Sequence, residues 1–153
     1  MKRGTILKHK RPVLDTNVFI EYQISDELLS KMFLSSVVLY ELIAANIDNS
    51  QLATYSSWKK AHSSAGQLLT PSATDWFECS KLVRNLLRGN KSSTIGIVRK
   101  ITSAQQQQND ALIARTAMMH DCFVVTANIK DFERFKPYMK DLIIVPAEDF
   151  FDL

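Results

Sequence analysis

The chain has 153 residues, of which 46% are hydrophobic and 23% are charged, and this size and composition fit one globular domain with a single substantial core. Four glycines and four prolines argue against a fibrous repeat or a disordered chain, and no apolar run approaches the roughly 20 residues that a membrane helix needs. The net charge of +3 is too small to indicate a partner by itself.

The N-terminal segment is predicted to be a basic extension over residues 1–11, followed by one domain over residues 12–153. The cations of this extension are Lys2, Arg3, Lys8, Lys10 and Arg11, and no apolar signal core follows them. Cys79 and Cys122 lie far apart in the sequence. We expect both to be reduced, buried apolar residues, with a structural disulfide as the alternative. These features predict a cytoplasmic protein that does not enter a membrane.

Short apolar runs alternate with helical patterns along the rest of the chain. The predicted extended segments are residues 12–16, 32–38, 67–70, 122–126 and 142–145. The predicted helices are residues 17–22, 26–31, a helix starting near 36, and residues 75–87, 110–120 and 130–139. Pro137 is a candidate to end or kink the last of them. Short continuous apolar strands separated by helices indicate a parallel sheet covered on both faces. We therefore expect a three-layer α/β/α domain around a central, mainly parallel sheet of about 4–5 strands.

Local signals mark some helix starts and leave two stretches uncertain. The helix that starts near Ser36 has a serine at its beginning that is well suited to cap it. Ser72 and Asp75 have the spacing of a capping box ahead of a later helix. Residues 49–65 are polar and only weakly helical in pattern, and the glutamine run at 105–108 is expected to be a loop or a frayed helical turn.

Acidic side chains lie close to the ends of the predicted strands. In an open parallel sheet the functional crevice lies beyond the carboxyl ends of the strands. Asp15 closes the first strand, Glu41 lies one or two turns into a helix, Asp110 opens a helix, and Asp131 follows the strand at 122–126. Taken singly, Asp15 and Asp110 can be explained as helix caps, and Glu41 and Asp131 are better explained as surface residues. Four acids at equivalent positions indicate a site.

A cluster of carboxylates predicts metal chemistry. Packed carboxylates repel one another, so the cluster should raise its pKa values or bind a cation. Mg²⁺ and Mn²⁺ prefer oxygen ligands, lower the pKa of bound water and neutralise charge on a phosphate. The sequence lacks a Ser-His-Asp arrangement at the strand ends, a zinc-type Cys/His spacing and a glycine-rich phosphate loop. A phosphatase of the haloacid-dehalogenase type would need a second Asp where this chain has Asn17.

A basic stretch lies between the second and third of these acids. Residues 79–109 contain no acidic side chain and six basic ones, namely Lys81, Arg84, Arg88, Lys91, Arg99 and Lys100. Lys81, Arg84 and Arg88 share one face of the predicted helix. This face is predicted to hold an RNA backbone, with a merely solvated face as the alternative. Trp58 and Trp76 are expected in the core, and stacking on exposed bases is the alternative.

Four segments, taken in order, resemble the motifs of the PIN-domain family and, within it, the VapC-type toxin ribonucleases of type II toxin–antitoxin systems. The segments are residues 13–18, 35–42, 109–114 and 126–132, and they carry Asp15, Glu41, Asp110 and Asp131 in turn. The resemblance covers about residues 12–150 and depends on the order and spacing of the motifs, since each motif alone is weak. The chain is longer than a compact toxin of this type, in the N-terminal extension and in residues 47–65.

The resemblance implies a role for each matching residue. Asp15, Glu41 and Asp110 would be the principal ligands of Mg²⁺ or Mn²⁺, directly or through water. Asp131 would be a fourth catalytic acid that binds a second ion or only water. The polar residues expected to orient carboxylates and waters are Thr16, Asn17, Thr126 and Asn128. The implied reaction is hydrolysis of an RNA phosphodiester by metal-activated water, which leaves a 5′-phosphate and a 3′-hydroxyl.

The resemblance also implies partners. VapC-type toxins are held inactive by a cognate antitoxin whose tail can place a basic side chain among the acids, and homodimers are usual in the family. Transfer RNA, ribosomal RNA and messenger RNA all remain possible substrates. Because all four acids are present, the sequence predicts an active enzyme. The alternative is a catalytically silent PIN-fold module that binds RNA or protein.

Overall fold

The computed structural model describes residues 10–46, 48–89 and 97–152, without the side chains of residues 97–102. Most of the basic extension and Lys91 lie outside the described residues, as do the side chains of Arg99 and Lys100. The strands are β1 (Arg11–Leu14), β2 (Leu34–Ser35), β3 (Leu68–Leu69), β4 (Cys122–Thr126) and β5 (Ile144–Pro146). The helices are α1 (Thr16–Glu21), α2 (Asp26–Ser30), α3 (Ser36–Ala45), α4 (Asn49–Ser64), α5 (Ala73–Gly89), α6 (Ile97–Met119), α7 (Ile129–Glu133) and α8 (Ala147–Phe151).

All paired strands in the described residues run parallel. β4 lies at the centre of a three-stranded sheet in the order β1-β4-β5, and β2 pairs with β3. A bridge between Val13 and Phe33 joins the two groups, and Phe33 N donates to Pro12 O at 3.2 Å. The expected α/β/α domain with a parallel sheet is therefore confirmed. The regular sheet has fewer strands than expected, because β2 and β3 are only two residues long and meet β1 through a single bridge.

The sheet separates two apolar cores. Successive residues of a strand point to opposite faces, so Val13 and Val124 enter the larger core whereas Leu14 and Val125 enter the smaller one. The larger core includes residues of α3, α5 and α6, and the smaller one includes residues of α1 and α8. Burial on both faces explains why β1 and β4 are recognisable as continuous apolar runs.

Helix α6 differs from the sequence prediction at its start. It begins at Ile97, well before Asp110, and it includes the glutamine run that was expected to be a loop or a frayed helical turn. Glutamine has a good helix propensity, and Gln108 Nε2 donates to Trp76 O at 3.1 Å and to Ser80 Oγ at 3.2 Å on α5. The run is therefore part of the contact between two helices. Asp110 lies inside a helix and not at its beginning.

Three further segments differ from expectation. Residues 49–64 form α4, whose anchors Tyr55, Trp58 and His62 recur at helical spacing within a segment whose helical pattern is weak. The helix predicted over 130–139 ends at Glu133, since Pro137 lacks an amide hydrogen and disfavours helix in the residue before it. The last strand begins two residues later than predicted, and α8 was not predicted.

Both cysteines are free and buried, as the sequence predicted. Burial raises the pKa of the Cys79 thiol to about 12 and that of Cys122 to about 11, so both remain protonated thiols that pack as apolar groups. Among the helices that the structure describes, none combines the length and apolar character needed to cross a bilayer.

The predicted helix caps are confirmed by hydrogen bonds. Ser35 Oγ accepts from Val37 N at 3.2 Å at the start of α3. At the start of α5, Ser72 Oγ accepts from Asp75 N at 3.1 Å while Asp75 Oδ2 accepts from Ser72 N at 2.8 Å, which is a reciprocal capping box. Asp75 Oδ1 also accepts from Arg115 Nε at 2.7 Å, so the same carboxylate attaches α5 to α6.

Replacing Asp75 by Asn should lower the free energy of unfolding by about 1–2 kcal/mol near neutral pH. Partial burial raises the pKa of Asp75, but hydrogen bonds from Ser72 and Arg115 lower it more, to below its usual 3.8. This contribution to stability is therefore present above about pH 4 and is lost as the pH falls through the lower pKa of the folded state. Urea unfolding at several pH values measures it. If Asp75→Asn lost the same free energy of unfolding at every pH, the assignment would be contradicted. Asp141→Asn, which removes a carboxylate at an exposed position, is the control.

Candidate active site

Asp15 is fixed by contacts to both of the neighbouring elements. Its backbone N donates to Val125 O on β4 at 2.9 Å, so the residue stays in register with the sheet. Its Oδ1 accepts from Thr16 N at 2.7 Å, which caps α1, and its Oδ2 accepts from Thr126 Oγ1 at 2.9 Å. The residue is only 4% exposed. Burial therefore raises the pKa of Asp15 to about 6, although the bonds from Thr126 and Thr16 act in the opposite direction.

Glu41 lies on α3 and shares a partner with Asp15. Thr16 Oγ1 donates to Glu41 Oε2 at 2.9 Å, while the backbone of Thr16 binds Asp15. Burial raises the pKa of Glu41, and Thr16 and Asn109 oppose that change. Glu41 Oε1 is buried and has no hydrogen-bond partner among the described residues. A buried carboxylate oxygen without a partner is costly and is open to a cation or to a donor.

Asp110 carries the most perturbed carboxylate of the group. Burial raises its pKa to about 7, and the nearby charge of Asp15 adds to the effect. Arg134 Nη2 donates to Asp110 Oδ2 at 3.0 Å and lowers the pKa, but this single contact does not offset the burial. Asp131 and Glu41 raise the pKa further, so each of the other three predicted acids acts on Asp110.

Asp131 lies on α7, just beyond the carboxyl end of β4. Its Oδ2 accepts from Asn128 Nδ2, and Asn128 N in turn donates to Thr126 Oγ1 at 3.0 Å. Thr126 therefore contacts Asp15 directly and Asp131 through Asn128. The negative charge of Asp131 raises the pKa of Asp15 and of Asp110, which shows that these three acids lie within electrostatic range.

Three of the four residues predicted to orient the carboxylates contact an acid directly. Thr16, Thr126 and Asn128 each donate a hydrogen bond to a carboxylate. Asn17 is exposed on α1.

The donor set suits a hard divalent cation. It consists of carboxylate oxygens, includes the unpaired Glu41 Oε1, and holds Asp15 and Asp110 at raised pKa values. Within residues 10–46, 48–89 and 97–152, however, no three Asp, Glu, His or Cys side chains lie close enough to one another to enclose an ion. The acids therefore influence one another's pKa values, but no three of them surround a common position.

Arg134 was missed by the sequence analysis and lies within the acidic group. Its guanidinium contacts Asp110 and lies over the ring of Phe135 at 5.0 Å from the centroid. Its Nε is buried and has no hydrogen-bond partner in the described part of the chain. The sequence contained a signal that could have found Arg134. It lies three residues after Asp131, and side chains three residues apart share one face of a helix. A cation of the chain thus offsets one of the buried acids.

The basic residues predicted to bind RNA lie on the surface. Lys81, Arg84 and Arg88 are exposed on α5. Helix α5 packs against α6, which is the helix that carries Asp110. Trp58 packs against the larger core, as predicted. The same prediction was wrong for Trp76, which is 48% exposed, because the inner face of α5 is already filled by aliphatic and cysteine side chains.

Comparison with known proteins supports the fold assignment. No family model and no curated protein sequence match the chain. Solved structures do match, and together with the acids at the strand ends they identify the fold as PIN-like. One match is a chain of VapBC2 from Rickettsia felis, in a crystal structure bound to a DNA fragment from its promoter. The two sequences are 26% identical and the TM-score is 0.51, and the match covers 88% of this chain and 97% of that chain. A chain of FitAB bound to an IR36 DNA fragment is 16% identical with a TM-score of 0.51, covers 89% of this chain and 94% of that chain, and supports the fold alone.

Replacing Asp15 by Asn should stabilise the protein in EDTA at alkaline pH and not at acidic pH. The folded-state pKa of Asp15 is about 6 and its ordinary value is 3.8, so the folded state binds this proton more tightly. Stability from this group is present below about pH 4 and is lost as the pH rises to about 6. Asn keeps the capping oxygen and carries no charge, so this loss should be absent.

Urea unfolding of both proteins at about pH 5 and pH 8 measures this difference. The gain in unfolding free energy of the variant over wild type should be larger at the higher pH. An identical pH dependence of the two proteins would show that Asp15 is not held at a raised pKa. Asp141→Asn, which removes an exposed carboxylate, should leave the pH dependence unchanged.

Proposed function

We propose that this protein is a metal-dependent ribonuclease of the VapC toxin type that hydrolyses RNA phosphodiester bonds. The observation that carries the proposal is the grouping of Asp15, Glu41, Asp110 and Asp131 at the carboxyl ends of β1 and β4. Asp15, Glu41 and Asp131 each raise the pKa of another member of the group, and Asp110 has its own pKa raised by the other three. The similarity to a chain of VapBC2, a complex, supports the toxin class.

The proposed cofactor is Mg²⁺ or Mn²⁺, bound by Asp15, Glu41 and Asp110, with Asp131 as the fourth acid. When bound, such an ion supplies an activated water and neutralises charge on the scissile phosphate. The chain contributes the arrangement of the ligands. Thr16 holds Asp15 and Glu41 together, Thr126 and Asn128 orient Asp15 and Asp131, and burial keeps bulk water away from Asp15.

Two partners belong to this proposal. The first is a cognate antitoxin, because the similar VapBC2 chain belongs to a complex. A basic side chain supplied by such a partner would be attracted to the same acids that Arg134 already contacts. The second is another copy of this chain, in the homodimer that the family resemblance implies.

A silent binding module is the second candidate. It is favoured by the contact between Arg134 and Asp110 and by the spacing of the acids, since no three of the described candidate ligands enclose an ion. In such a module Arg134 would neutralise the site permanently. The two candidates differ in whether added metal binds and whether RNA is cut.

Purified protein incubated with total cellular RNA should produce discrete fragments in the presence of Mg²⁺ or Mn²⁺ and none with EDTA. Asp15→Asn should abolish cleavage, because it removes one of the charges that attract the cation. Asp141→Asn is the matched control, since it removes a carboxylate at an exposed position, and should cleave as wild type does. Gel electrophoresis with end mapping measures the products, which should carry 5′-phosphate and 3′-hydroxyl ends.

Metal binding separates the two candidates when no cleavage is seen. If Mn²⁺ neither binds by calorimetry nor shifts the unfolding temperature, the nuclease proposal fails and the silent module is favoured. If Mn²⁺ binds to wild type and not to Asp15→Asn, the site is a metal site, and the absence of cleavage then means either a metal-binding silent module or a substrate that is missing from the RNA pool.

Replacing Arg84 and Arg88 together by Ala should weaken RNA binding and make it less dependent on salt. Each phosphate contact with a single strand adds about 0.7 to the slope of log affinity against log salt concentration. Anisotropy titrations with labelled RNA in EDTA, at several salt concentrations, measure this slope. Lys59→Ala combined with Lys60→Ala removes two cations from α4 as the control. An unchanged slope in the Arg variant would show that this face does not hold the RNA backbone.

A further inference from the structure

Arg134 is held in the acidic group by one charged contact and one aromatic ring. Its Nη2 donates to Asp110 Oδ2 at 3.0 Å, and its guanidinium carbon lies 5.0 Å from the centroid of the Phe135 ring. Phe135 is fully buried in the larger core, so its ring is a fixed support for the guanidinium. Arg134 therefore takes a defined position beside the acids, although it lies just after the last residue of α7.

The contact between Arg134 and Asp110 is incomplete. A guanidinium commonly binds a carboxylate through two parallel N–H groups. Within residues 10–46, 48–89 and 97–152, a single nitrogen of Arg134 contacts Asp110, and Nε is buried without a partner. In the same part of the chain Glu41 Oε1 is also buried and unpaired. A buried donor and a buried acceptor are both left unsatisfied, which costs free energy, so this arrangement is one that a ligand can improve.

Asp110, when bound to Arg134, does not meet the other predicted ligands. No three candidate ligands in the described part of the chain lie close enough to enclose an ion. A cation of the chain that prepared Asp110 for metal would hold its carboxylate where Asp15 and Glu41 converge. Arg134 instead occupies a carboxylate oxygen that a divalent cation would use. Two positive charges in contact with that oxygen would repel each other strongly.

We infer that Arg134 is a positioning residue that competes with the divalent cation for Asp110. The inference rests on the metal site of the proposed function and specifies how that site is filled. In the metal-free protein Arg134 neutralises Asp110 and limits its repulsion with the other acids. Cation binding releases Asp110 from Arg134, and the carboxylate then turns towards Asp15 and Glu41. The Arg134 side chain is 29% exposed, so the released guanidinium has access to water.

The test compares Mn²⁺ binding by wild type and Arg134→Gln in isothermal titration calorimetry. Gln retains hydrogen-bonding groups but carries no charge, so it does not compete with a cation for a carboxylate. Because one adjacent positive charge has been removed, the affinity for Mn²⁺ should rise about tenfold or more. Unchanged affinity would overturn the inference. Weaker binding would also overturn it, and would show that Arg134 orients Asp110 for the ion.

Two further variants separate the contact from the overall charge. Lys136→Gln removes a cation at an exposed position two residues away and should bind Mn²⁺ as wild type does. Arg134→Lys keeps the charge beside Asp110, so its affinity should stay within about threefold of wild type. An increase in Lys136→Gln as large as that in Arg134→Gln would overturn the inference, since the effect would then come from net charge alone.

A second measurement uses the unaltered protein and does not depend on the folding of Arg134→Gln. The side-chain Nε–H resonance of Arg134 is assigned in nitrogen-15 NMR spectra by its absence from Arg134→Lys. Because Nε is buried in the contact with Asp110, saturation with Mg²⁺ should speed the exchange of this proton with water. An unchanged resonance and exchange rate in Mg²⁺-bound protein would overturn the inference.

Metal binding and RNA cleavage are measured separately, so the inference and the proposed function can fail independently. Tighter Mn²⁺ binding by Arg134→Gln supports the competition even if wild type cuts no RNA. Binding of Mn²⁺ by Arg134→Gln and not by wild type would show that Arg134 excludes the ion. RNA cleavage by wild type with equal Mn²⁺ affinities supports the nuclease and overturns the competition. Absence of Mn²⁺ binding in both proteins overturns the competition as well.

Discussion

The mutual repulsion of buried carboxylates is the constraint on which the candidate site depends. Asp15 cannot move away from the other carboxylates, because its backbone is hydrogen-bonded to β4 and its side chain caps α1 and accepts a hydrogen bond from Thr126. The same sheet register that buries the core therefore also buries a charge. The raised pKa values of Asp15 and Asp110 are the consequence. In the absence of a cation, the fold is less stable at neutral pH than at mildly acidic pH as far as these groups are concerned.

Arg134 offsets part of this repulsion from within the chain. Its contact with Asp110 uses one carboxylate oxygen, and burial still keeps the pKa of Asp110 at about 7. The compensation is therefore incomplete, and negative charge remains in the group. A permanently silent site would be expected to satisfy its buried groups, yet Glu41 Oε1 and Arg134 Nε are both unpaired among the described residues. This unsatisfied state favours a site that completes its interactions by binding a ligand.

The parts predicted from sequence are those fixed by short-range patterns. Continuous apolar runs identified β1 and β4, residue spacing identified the capping box of Ser72 and Asp75, and strand ends identified the acids that the structure groups together. The errors arose where tertiary contacts decide the structure. The glutamine run became helical because it packs against α5, Trp76 is exposed because the inner face of α5 is full, and Arg134 reaches Asp110 from another element. Contacts between elements that are distant in the sequence leave no local sequence pattern.

Helix α6 connects the acidic group to helix α5. Gln108, Asn109 and Asp110 are consecutive: Gln108 donates to the carbonyl oxygen of Trp76, Asn109 lowers the pKa of Glu41, and Asp110 accepts from Arg134. A helical turn is rigid, so the separation between the Trp76 backbone and the acids is fixed by backbone geometry and does not depend on a mobile loop.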